Sequence, residues 1–63
     1  MNIHIEMMVG TLDTVSGVVE IDGQVSVIDN LTVLPSDSPS VRRDMLIDAA
    51  LAEQGKERSS SDI

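Results

Sequence analysis

Apolar and polar residues alternate through the first half of the chain, and a helical rhythm replaces that alternation after Pro35. From Met1 to Val9, Ile3, Ile5 and Met7 fall on one face and Asn2, His4, Glu6 and Met8 on the other, the period of two expected of a half-buried strand. Gly10 breaks that pattern, and Thr11 to Ser16 reads as a polar connection with Leu12 as its one large apolar residue. A second strand resumes near Thr14 or Val15 and runs to Ile21. A third begins near Gln24 and is interrupted at Asp29-Asn30, a pair that favours turns and bulges. Leu31 to Leu34 then continues extended, either as a bent extension of the third strand or as a short fourth one.

The centre of this half is the hairpin within Gly17 to Leu34, where Asp22-Gly23 separates two runs rich in β-branched residues. A strict two-residue turn would pair Glu20 with Val25 and Val19 with Ser26, setting charge against apolar positions. Two longer loops avoid that pairing. Asp22 to Gln24 as the loop sets Ile21 against Val25 and Val19 against Val27, whereas Ile21 to Gly23 sets Val19 against Val25. Both place Val19, Val25 and Val27 on the buried face with Ile3, Ile5 and, from the helix, Met45. Glu20 and Ser26 point the other way, and Val27→Asp is expected to abolish folding.

Pro35 to Ser38 is a linker that ends in a helix start: Ser38 offers an N-cap hydroxyl, and Pro39, which lacks an N–H, suits the first helical position. The helix is expected to run from Pro39 to Gln54, with Gly55 as the left-handed residue that ends it. Its apolar residues spread over more than one face. Val41, Met45, Ala49 and Ala52 lie on one side, Ile47 and Leu51 on a flank, and Leu46 and Ala50 nearly opposite. The reading is therefore an α+β domain over 1–55, a small antiparallel β-meander of three or four strands followed by one C-terminal helix (β-β-β-α). Residues 1–34 form the sheet, 35–38 the linker and 39–54 the helix, while 56–63 are read as a disordered tail.

Composition adds a thin margin of stability. A chain of 63 residues buries only roughly 60% of its unfolded surface, and this one has no Cys, Phe, Tyr or Trp to reinforce its core. Self-association is the simplest remedy, so a homodimer is expected, with the surplus helix residues Leu46, Ala50 and Leu51 in its interface.

The charge is unevenly placed. Glu6, Asp13, Glu20, Asp22, Asp29 and Asp37 all precede the first basic residue, Arg42, and the other bases are Arg43, Lys56 and Arg58. Against a helix N-terminus the Arg42-Arg43 pair opposes the macrodipole, a pointer to pairing with acids or a partner beside the plainer reading of ordinary surface arginines. The anionic sheet half, without an aromatic side chain to stack a base, argues against direct nucleic-acid binding. No run reaches the length of a membrane span, and the N-terminal residues lack a signal-peptide pattern, so a soluble cytoplasmic protein is expected.

Candidate chemistry is sparse. His4 is the one histidine and has no nucleophile at a recognisable spacing. Neither calcium-loop nor phosphate-loop spacing occurs, and no cofactor or metal is implied. The expectation is a non-enzymatic interaction module in which Glu6, Asp13, Glu20, Asp22 and Asp29 meet a basic partner protein. In size and charge alone the chain resembles accessory proteins of phages and mobile elements, including inhibitors of host defence enzymes. That likeness implies a protein that occludes a nucleic-acid-binding surface. Alternatives are a structural or assembly subunit of a homo-oligomer and an antitoxin-like regulator whose C-terminal part binds a toxin.

Overall fold

The computed structural model describes residues 1–8 and 10–56, and the expected tail beyond Lys56 lies outside the described residues. Three antiparallel strands, β1 (Ile3–Met8), β2 (Thr14–Ile21) and β3 (Gln24–Thr32), precede one helix, α1 (Pro39–Glu53). The strands lie side by side in chain order. The domain is thus α+β, a meander with its helix against one face.

The β2–β3 hairpin closes through the two-residue turn. Asp22 and Gly23 both have positive φ, 51° and 87°, which match the right-handed twist of the flanking strands. Val19 stands opposite Ser26 and Glu20 opposite Val25. The longer loops are therefore incorrect, and every side chain on the start of β3 faces opposite to expectation. The supposed mismatch costs little, because Glu20 and Val25 share the solvent face, where the charge keeps its water. Val25 and Val27 are 58% and 67% exposed, and Ser26 and Ile28 are buried instead.

Asp29 and Asn30 form a bulge, not a strand break. They occupy the space opposite Ser16 between the pairs Gly17–Ile28 and Val15–Leu31, and Asn30 takes a φ of 55°. The Ser16 hydroxyl closes the irregularity by accepting from the Asn30 amide at 3.0 Å while donating to Asp29 Oδ1 at 2.9 Å. The strand parity is thereby reset, so that Leu31 and Val33 return to the core side.

The helix starts and ends at its expected signals. Ser38 caps it, accepting from the Val41 amide at 3.3 Å, with Pro39 following. At the other end Gly55, at φ 71°, lets its own amide reach Ala52 O and the Lys56 amide reach Leu51 O, the paired bonds of a Schellman motif.

Leu46, Ile47, Ala50 and Leu51 are buried between helix and sheet with Val15, Val19, Ile21, Ile28 and Val33. Gly17 makes this approach possible, since a Cβ there would lie 2.8 Å from Glu6 O and 3.0 Å from Leu46 Cδ1. The expected oligomer interface is corrected by the same packing: Leu46, Ala50 and Leu51 are consumed by the chain's own core. Of the six expected core residues, Val19 is buried, and Ile5 and Met45 pack at its margin. Val25, Val27 and Ile3 are exposed.

Candidate functional site

The sheet has one covered face and one open face. Alternation from the observed register assigns His4, Glu6, Met8, Ser16, Val18, Glu20, Val25, Val27 and Asp29 to the open one. Rows cross it from β1 to β3: Glu6 stands opposite Val18 and Val18 opposite Val27, while His4 stands opposite Glu20 and Glu20 opposite Val25. Val18, Val25 and Val27 thus form an apolar centre with Glu6, Glu20 and Asp29 around it, as protein interfaces combine a dry centre with a polar rim.

The five expected partner-binding acids are not equivalent. Glu6 and Glu20 project from neighbouring strands of the open face, and the His4 imidazole Nε2 lies 3.7 Å from Glu6 Oε2. Asp29 reaches the same face at the bulge, where Ser16 donates to it. Asp22 lies at the adjoining turn, where its backbone and side chain both bind the backbone of Asn2: Asn2 N–H donates to Oδ1 at 2.8 Å, and Asp22 N–H donates to Asn2 O at 2.9 Å. Asp13 is apart from these, held by the Thr11 hydroxyl at 2.8 Å in the β1–β2 connection. One shallow depression joins Asn2, Ile3, His4, Glu20, Asp22 and Gly23 at the hairpin end. Among the described residues no group of three or more His, Cys, Asp or Glu is placed to hold a metal ion, and no helix is long and apolar enough to cross a membrane.

Arg42 is a structural residue, neither an ordinary surface arginine nor, among the described residues, one held by acids. Its guanidinium instead donates to backbone carbonyls on both sides: Leu12 at 2.7 Å, Leu34 at 3.0 Å, Asp37 at 3.1 Å, and Thr11 and Pro35 at 3.5 Å. A planar fork with several donors suits this task, and it ties the β1–β2 connection to the segment entering α1.

Gln54 performs a similar service at the far end of the helix. Its Nε2 donates to Gln24 O at 3.0 Å and to the buried Ser26 hydroxyl at 2.9 Å. Ser26 on the core side is thus satisfied, which removes the penalty that would have argued against this register. The clue to both valines was the strength of the Asp-Gly turn signal, which fixes the parity of β3 once the turn is taken as two residues. The chain matches no family model, no curated protein and no solved structure.

Proposed function

We propose that the chain is a non-enzymatic interaction module that docks the open face of its sheet on a basic protein surface. The observation that carries this reading is the exposure of Val25 and Val27 beside Glu20 and Glu6 on one uncovered face. Solubility alone favours polar residues at such positions, whereas a docking surface gains from a dry apolar centre. The acidic rim steers a partner of opposite charge and selects against acidic ones. A protein whose own surface binds nucleic acid has the complementary chemistry, and occupying that surface would block it.

The test separates the centre from the rim. Immobilised wild-type chain is used to capture basic proteins from lysate at low and high salt, and captured species are compared with those held by Glu6→Gln/Glu20→Gln and Val25→Thr/Val27→Thr. The acidic pair should control association rate and its salt dependence, while the valine pair should control dissociation. Capture that is indifferent to both pairs places the working surface elsewhere and ends the proposal.

A further inference from the structure

The free edge of β1 is complementary to itself. Asn2 exchanges both of its backbone bonds with Asp22, the amide going to a side-chain oxygen and the carbonyl receiving the Asp22 amide. Its polar backbone groups therefore face β2. Alternation turns those of His4, Glu6 and Met8 the same way and leaves the amides and carbonyls of Ile3, Ile5 and Met7 facing away from the sheet. Among the described residues no strand pairs with that side. Of the usual guards the edge carries only the charge of Glu6, having no Pro, no Lys and no bulge.

We infer that β1 pairs antiparallel with β1 of a second copy across a two-fold axis at Ile5, joining two sheets into one of six strands. Side-chain chemistry selects the register, because an imidazole N–H can donate to a carboxylate whereas two carboxylates repel. Centred on Ile5, the pairing sets His4 of each copy opposite Glu6 of the other on the open face, and Ile3 opposite Met7 on the helix side. Centring on His4 instead stacks the two imidazoles, and centring on Glu6 opposes two carboxylates. The Ile5 register alone gives unlike neighbours at both polar positions, and it matches strand residues whose free backbone groups all point outward.

Packing on the other face agrees with this occupant. Ile3 and Met7 are 36% and 41% exposed although alternation turns them toward the helix side. A second copy covers both by bringing its own Met7 and Ile3 against them, forming apolar cross-strand pairs between the two helices. The association leaves Val25 and Val27 free on the opposite edge, so it stands independently of the docking face.

Sedimentation of the pure chain over a concentration series tests the inference. Wild type should form a dimer, and His4→Glu should weaken it roughly tenfold or more, because the symmetric interface then contains two like-charge pairs. Adding Glu6→Lys to His4→Glu should restore the dimer by turning both like-charge pairs into Glu–Lys pairs. His4 and Glu6 side chains are 71% and 77% exposed, so circular dichroism should report the same fold for all three proteins. Under a mild oxidant Ile5→Cys should crosslink to a second copy and Val27→Cys should not, since the axis brings the two residue-5 Cα atoms about 5.5 Å apart. A wild-type chain that remains monomeric, including one whose edge is kept for a strand of another protein, overturns the inference. So does a dimer unaffected by His4→Glu, or one that crosslinks through Val27→Cys in preference.

Discussion

Arg42 adds a second tie between two segments that the Val33 amide already joins by donating to the Asp13 carbonyl at 2.9 Å. Leu12 and Leu34 are exposed, yet their carbonyls converge on one guanidinium. Lysine cannot reproduce this, because a single ammonium has neither the reach nor the fixed fork. Arg42→Lys should therefore destabilise the domain by about 1–2 kcal/mol, since these are hydrogen bonds from a charged donor but most of them are exposed to water. Thermal melting measures the loss, and faster amide exchange around residues 11–13 should accompany it. Gly17 is the second sensitive position, for a steric reason. Gly17→Ala places a methyl 2.8 Å from the Glu6 carbonyl oxygen, closer than real Cβ atoms come, and 3.0 Å from Leu46 Cδ1, which would have to give way, so overpacking should cost about 1–3 kcal/mol in urea denaturation.

At the level of elements, the hairpin makes the sharpest prediction. Val27→Asp should change stability by less than about 0.5 kcal/mol, because the carboxylate stays in water on the open face. Val19→Asp should leave the chain unfolded, since it buries an unpaired charge at the centre of the core. Circular dichroism distinguishes the two directly. This pair also marks the limit of what could be read in advance. Element order, the Ser38-Pro39 start, the Gly55 stop and the disturbance at Asp29-Asn30 are written in local residue chemistry, and all are present in the structure. Facing is different, because Val-Ser-Val-Ile has an apolar residue on either parity: Val25 and Val27 on one, Ile28 on the other. Its choice is made by the length of the Asp22-Gly23 turn, and the burial of Ser26 that follows is satisfied by Gln54, a partner 28 residues away that no local pattern records. The helix misled for a related reason: its wide apolar surface suggested a second partner, but Leu46, Ile47, Ala50 and Leu51 meet a twisted sheet that covers them all.

Across the whole molecule, the acids divide by task. Asp13, Asp22, Asp29 and Asp37 accept hydrogen bonds that shape connections, turn and bulge, while Glu6 and Glu20 stand exposed on strands, Glu6 beside His4. Glu6→Gln and Glu20→Gln should accordingly leave the melting temperature nearly unchanged, whereas Asp22→Ala should lower it by loosening the N-terminus of β1 from the turn. The site was therefore legible as charge but not as geometry. The valines that give the open face its apolar centre emerged only with the register.

The meander also fixes the order in which the chain can assemble. Its strands pair only with sequence neighbours, so closing the β2–β3 hairpin confines little chain and can proceed early on the microsecond scale of hairpin formation. The Arg42 clasp spans 30 residues to Leu12 and can form only after the sheet and helix have met. In stopped-flow experiments, substitution of Gly23 by Ala should therefore slow refolding, whereas Arg42→Lys should leave refolding almost unchanged and accelerate unfolding. A chain this thinly reinforced would then owe its lifetime in the folded state to a contact that plays no part in reaching it.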